Sequence, residues 1–93
     1  MRCVPVGRLL KLDAVVEVLE GAFRPFACTV SISPEQQRIR FVILDSSGAP
    51  ILRPGARPGL EMRDPDLLRL RIDQARSRLR AEGFKIDRWR SRL

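Results

Sequence analysis

Two hydrophobic periodicities follow one another along this chain, and their order constrains the fold more than any other feature. In the first of these segments, the apolar residues are spaced as on one face of a helix: Leu12, Val15, Val16, Leu19 and Phe23. This spacing predicts an amphipathic helix over residues 9–22, with Gly21 and Pro25 marking its exit. The period then changes from helical to alternating, which is typical of a domain that combines helices with a sheet.

The alternating part predicts three strands. Apolar and polar residues alternate from Phe26 to Ser33 and again over residues 37–45, as in strands with one buried face. A Pro-containing turn separates these segments, and Asp45-Ser46-Ser47-Gly48 is a second turn cluster before a short strand at 50–53. Strands joined by such short turns form an antiparallel meander.

Helical spacing returns after a segment that is rich in Pro and Gly. Residues 53–59 contain the tripeptide Arg-Pro-Gly twice, which predicts a surface connection without strand or helix; the alternative is a basic loop that contacts an anionic partner. Asp64-Pro65-Asp66 is a strong helix start. The apolar stripe that follows predicts a helix over residues 65–82 that stops at Gly83.

The order α-β-β-β-α predicts an α+β fold in which both helices pack on one face of a three-stranded antiparallel sheet. Ninety-three residues suit a single domain, 1–93, with a basic C-terminal tail at 84–93 in which Phe84 and Ile86 can fold back onto the core. The predicted core combines the helical stripes with one face of the strands: Val15, Val16, Leu19, Phe23, Val30, Ile32, Ile39, Phe41, Ile43, Leu68, Ile72 and Leu79.

Positive charge is concentrated in the C-terminal third. The net charge is +7, and residues 63–93 hold ten basic and five acidic side chains, so +5 of the total lies there. Nearly all the basic residues are arginine, for which codon usage is one explanation and recognition of anions another. The positive electrostatic field of these residues attracts nucleic acid or an acidic protein.

The arginines of the last helix fall on two flanks of its apolar stripe. Arg69, Arg76 and Arg80 lie roughly 100° from Leu68 on one side, and Arg71 and Arg78 lie on the other. The first flank is interpreted as a phosphate-binding surface, extended by a tail tryptophan that stacks on a base or sugar. The predicted nucleic-acid or anion-binding residues are Arg69, Arg76, Arg80, Arg88, Trp89 and Arg90. The alternative is a solvated helix face, with Asp73 pairing with Arg69 or Arg76.

A second surface is predicted on the open face of the sheet, where basic and apolar residues are mixed. Mixed open faces of this kind suit self-association, and two leucines off the helical stripe could also be covered by a partner. The predicted interface residues are Arg38, Arg40, Val42, Leu44, Leu67 and Leu70, and the expected assembly is a homodimer. The alternative is apolar residues scattered over an ordinary surface.

Catalytic and metal chemistry find little support. The chain has no histidine or tyrosine and no Cys-x-x-Cys motif, so we expect no enzyme, no metal and no cofactor. Cys28 belongs to an alternating pattern and is expected to be a buried thiol.

No apolar run approaches the roughly 20 residues of a membrane span, and we expect a cytoplasmic protein. The predicted function is that of a small non-enzymatic binding or regulatory module; the alternative is a dimeric structural or interaction protein that binds no nucleic acid.

Three segments carry a resemblance to known families: Leu19–Phe23, Ile39–Gly48 and Leu68–Gly83. They resemble a family of small pseudomonad proteins classified as a domain of unknown function, which implies a helix, two or three strands and a last helix but no catalytic residues. The topology alone also resembles the double-stranded-RNA-binding domain, whose second helix begins with basic residues that contact phosphates. Here the corresponding helix begins with Asp64-Pro65-Asp66.

Overall fold

A computed structural model describes residues 9–89 and confirms the α+β class. The elements in chain order are α1 (Leu12–Ala22), β1 (Ala27–Ser33), β2 (Arg38–Leu44), β3 (Pro50–Leu52), β4 (Arg57–Pro58), α2 (Gly59–Arg63) and α3 (Pro65–Ala81). Helix α1 begins three residues later than predicted. Its N-terminal end is tied to α2, because the Leu10 amide donates to the Arg63 carbonyl over 2.8 Å and Arg63 Nε donates to the Leu10 carbonyl over 2.7 Å.

Strand β2 is the centre of the sheet. It pairs along its whole length with antiparallel β1, from Ala27 opposite Leu44 to Ser33 opposite Arg38. Its other edge pairs with two short antiparallel strands, β3 near Ile43 and β4 near Arg38. Alternation along β2 buries one face against the helices and leaves the arginines of the other face exposed.

The core joins α1, β2, α2 and α3 in one cluster of buried residues: Val15, Leu19, Ala22, Phe23, Ile39, Phe41, Ile43, Met62, Leu68, Ile72, Ala75 and Leu79. The rings of Phe23 and Phe41 stack with centroids 5.6 Å apart, which fixes the exit of α1 against β2. Of the predicted core residues, Val30 is half-buried and packs against the edge of this cluster. Two predicted core positions are wrong: Val16 is half-buried outside the cluster, and Ile32, near the end of β1, is 43% exposed.

The second Arg-Pro-Gly tripeptide is not a plain loop, which corrects the expectation for residues 53–59. Arg57 and Pro58 form β4, where a proline is tolerated because the strand lies at the sheet edge. Gly59 opens α2 and donates its amide to the Gln37 carbonyl over 2.8 Å. A Cβ at Gly59 would lie 3.4 Å from that oxygen, an ordinary van der Waals contact. Helix α2 then buries Met62, which the periodicity analysis missed.

Helix α3 begins as the sequence predicts. Asp64 caps it, since its Oδ1 accepts from the Asp66 amide over 3.0 Å, and Pro65 occupies the first helical position. The helix ends at Ala81, and Gly83 follows with φ of +92°. Phe84 and Ile86 then pack back onto the core, as expected for the start of the tail.

Candidate functional site

Arg76 does not lie on an exposed flank, and its assignment to a phosphate-binding surface is wrong. The residue is 5% exposed; its Nη1 donates to the Ala22 carbonyl over 2.6 Å and its Nη2 to the Asp87 carbonyl over 2.7 Å. At roughly 80° from Leu68, the side chain starts beside the core and extends between the end of α1 and the tail. Burial, followed by the charge of Arg80, lowers the pKa of the Arg76 guanidinium.

The predicted flank is therefore reduced to two exposed arginines. Arg69 and Arg80 both face solvent. Asp73 forms no ion pair with Arg69 or Arg76 in the described part of the chain, although its charge acts on Arg76. The carboxylates of Asp73 and Asp87 thus reduce the positive potential of this flank.

The predicted tail residues line a different hollow, between α1 and the C-terminal segment. Trp89 is half-buried against the core edge, and Arg88 is exposed beside it. This hollow of about 610 Å³ has two arginines, Arg24 and Arg88, and two carboxylates on its walls, so it carries no net charge. Arg90 lies outside the described residues.

The opposite flank of α3 forms one wall of a basic groove. Arg71 and Arg78 line this wall, Arg53 comes from the connection between β3 and β4, and Arg57 comes from β4 itself. The volume is about 530 Å³, within the range of ligand-binding clefts. Four arginines and one glutamate, Glu82, line the groove, for a net charge of +3. We call it the four-arginine groove.

The guanidinium groups of this groove are largely available to a ligand. Arg53 and Arg57 are exposed, and neither guanidinium has a hydrogen bond or an ion pair within residues 9–89. Arg71 donates from Nη1 to Gln74 over 3.2 Å, but its Nε is buried with no acceptor among the described atoms. Arg78 Nε lies 3.5 Å from Glu82 Oε1, an exposed pair that water and ions weaken.

The floor of the same groove is apolar. Phe41, Met62 and Ala75 all line it, although each is almost completely covered by the protein. Ile51 and Leu52 add half-buried apolar surface at the side of β3. The groove therefore combines a hydrophobic base with a cationic rim.

The sequence predicted the two basic segments that form the walls of this groove, but it did not predict that they lie side by side. The flank of Arg71 and Arg78 and the basic loop at residues 53–59 were each apparent from the sequence. Their meeting depends on β4, which pairs with β2 and so brings the loop beside α3. A two-residue strand has no detectable period, so this contact had no signal in the sequence.

The predicted interface residues separate onto two sides of the molecule. Arg38 and Arg40 are exposed on the outer face of the sheet, and Val42 and Leu44 are half-buried beside them. Leu67 is half-buried on α3, and Leu70, 48% exposed, points away from the sheet by helical geometry. The fold does not bring the two leucines to the sheet face.

The remaining chemistry-bearing groups are dispersed. Within residues 9–89, no three His, Cys, Asp or Glu side chains lie close enough to hold a metal ion. None of the helices in this range is long and apolar enough to cross a membrane. Burial, with a smaller contribution from Glu20, raises the pKa of the half-buried Cys28 thiol to about 12.

Comparison with known proteins gives no relative. No protein-family model, no curated protein and no solved structure matches the chain. The two resemblances drawn from the sequence therefore stay predictions, and the candidate site depends on the geometry of the four-arginine groove.

Proposed function

We propose that this protein is a non-enzymatic module that binds nucleic acid through the arginine-rich surface of its C-terminal half, with the four-arginine groove at the centre. The observation that supports this most is the convergence of Arg53 and Arg57 with Arg71 and Arg78 on one cleft. These pairs are separated in sequence, and the fold places them together. A net charge of +3 on one groove strongly favours an anionic ligand.

The arginine side chain favours phosphate as the anion. A guanidinium group presents a planar fork that donates two hydrogen bonds to one phosphate group. The exposed, unpaired guanidinium groups of Arg53 and Arg57 supply such donors. A phosphodiester chain offers closely spaced negative charges, which suits several arginines on one short groove.

The proposal is for binding and not for catalysis. The sequence contains no histidine that could activate a serine or move a proton near neutral pH. The exposed Arg69 and Arg80 extend the positive surface around α3. An acidic protein is the other partner class that this charge could attract, and binding measurements distinguish the two.

Two double variants test where nucleic acid binds. Arg53→Gln with Arg57→Gln alters the groove, and Arg69→Gln with Arg80→Gln alters the opposite flank of α3. Both remove two exposed positive charges, so the loss of long-range attraction is matched. We expect the groove variant to lose more affinity in fluorescence anisotropy with labelled DNA, and to flatten the slope of log affinity against log salt by roughly 0.9 per lost duplex contact or 0.7 per lost single-strand contact.

The outcomes separate the alternatives. A larger loss in the Arg69 and Arg80 variant would move the site to the flank first suggested by the sequence. Equal losses of affinity in the two variants would mean that the overall positive charge of the protein attracts DNA without a defined binding site. A folded wild-type protein that binds neither DNA nor RNA at about 50 mM salt would contradict the nucleic-acid function altogether.

A further inference from the structure

The four-arginine groove has two features that a purely electrostatic surface does not need. Its lining includes apolar surface from the half-buried Ile51 and Leu52, beside the covered core residues Phe41, Met62 and Ala75. It is also concave, with walls from the β3–β4 connection and from α3. A flat or convex basic patch would be enough to contact the phosphates of a duplex.

A groove with an apolar floor and a cationic rim suits a ligand that has both an apolar part and a negatively charged part. An unpaired nucleotide has a flat, poorly hydrated base and charged phosphates at its edges. In a duplex, the base faces are stacked inside the helix and are not available to such a floor. Guanidinium groups at the rim can also stack on the base plane.

The division of the arginines between two walls parallels the order of charge along a strand. Every internal nucleotide has a phosphate on its 5′ side and another on its 3′ side. Arg53 and Arg57 belong to one wall and Arg71 and Arg78 to the other, so each wall has a pair of guanidinium groups. A volume of about 530 Å³ is large enough for one nucleotide unit.

We propose that the four-arginine groove binds an unpaired nucleotide of a single strand, with the base against the apolar surface of Ile51 and Leu52 and the flanking phosphates on the two arginine walls. This inference rests on the proposed nucleic-acid function and specifies its ligand. It predicts a preference for single strands over duplex that the charge alone would not produce.

The first test compares an oligothymidine single strand with a mixed-sequence duplex of equal length. We expect the full chain to bind the single strand about tenfold more tightly at the same salt concentration, because stacking adds to the phosphate contacts. Equal or tighter binding of the duplex would overturn the single-strand inference and leave the proposed function in place. Absence of binding to either probe would overturn both.

The second test places a carboxylate in the groove or outside it. Gln74 lines the groove beside Arg71, and Ser77 is exposed on α3 outside it. Gln74→Glu and Ser77→Glu change the net charge equally. We expect Gln74→Glu to weaken single-strand binding by about tenfold and Ser77→Glu to weaken it by less than about threefold. Equal effects would overturn the assignment to the groove.

The third test fills the groove without removing charge. Gly55 lines it, and a Cβ there would meet no atom within 4 Å; Gly21, which lines the other hollow, is equally unobstructed. We expect Gly55→Leu to reduce the preference for single strands while Gly21→Leu keeps it. Unchanged preference in Gly55→Leu would show that the base does not enter the groove.

A polyglutamate probe that binds as tightly as the single strand would overturn the inference in favour of an acidic protein partner.

Discussion

Arg76 is the residue where three segments of the molecule meet. Its guanidinium donates to the end of α1 at Ala22 and to the tail at Asp87, from a starting point on α3. Sequence analysis placed Arg76 on an exposed flank because helical geometry puts it roughly 80° from Leu68, beside the apolar stripe. The partners here are main-chain carbonyls, which any residue type provides, so no pattern of side chains could have revealed them.

Arg76→Gln should lower the free energy of unfolding by about 3 kcal/mol, since the shorter amide leaves buried carbonyl groups without their charged donor. Arg80→Gln removes the same charge from an exposed position and should change stability by less than about 0.5 kcal/mol. Urea unfolding followed by the fluorescence of Trp89, the single tryptophan, measures both. Similar midpoints for the two variants would contradict the structural role of Arg76.

The reactivity of the Cys28 thiol can also be predicted at the scale of a single residue. Burial raises its pKa from 9.0 to about 12, so the folded protein holds almost no thiolate at pH 8. In a Cys3→Ser background, iodoacetamide should modify native Cys28 more than about a hundredfold more slowly than the urea-unfolded chain. The native rate should increase about tenfold with each pH unit and level off only near pH 12. Equally fast labelling of the native protein at pH 8 would disprove the burial of this thiol.

At the scale of elements, long periodic segments were predictable and short ones were not. The stripes of α1 and α3 and the alternation of β1 and β2 each extend over several residues, so their type follows from the period. Helix α2 has five residues and β4 has two, which is too few to show a period. Those two short elements determine the position of the Arg-Pro-Gly segment, and with it half of the four-arginine groove.

The cap of α3 is an element whose start the sequence predicted and whose energetics can be tested. Asp64 Oδ1 accepts from the Asp66 amide, and Asp64 is 3% exposed. Asp64→Ala should lower the free energy of unfolding by about 1 kcal/mol, because the helix loses its capping acceptor. Asp64→Ser keeps an acceptor and should cost less. Thermal unfolding monitored by circular dichroism compares the two, and an alanine variant as stable as the serine variant would argue against the cap.

At the scale of the whole molecule, the fold separates the positive groove from the outer sheet face. The groove lies between the β3–β4 connection and α3, on the side of β2 that faces the core. The outer face of β2 has Arg38 and Arg40 at one end and Val42 and Leu44 at the other. Sequence analysis identified the residues of this outer face correctly, because strand alternation assigns each residue to one side. It could not determine how Leu67 and Leu70 are oriented relative to that face.

The arrangement of the outer face leads to a prediction about assembly. A twofold axis through the apolar end would bring Val42 and Leu44 of two copies together and leave their arginines in solvent at the periphery. We therefore expect a dimer in sedimentation equilibrium at micromolar concentration. Val42→Arg should produce a monomer because it places like charges across the axis, whereas Leu70→Arg, on the far side of α3, should leave the dimer intact. Dissociation by Leu70→Arg alone would move the interface to α3, and a wild-type monomer at every concentration would mean that the sheet face does not pair with a second copy.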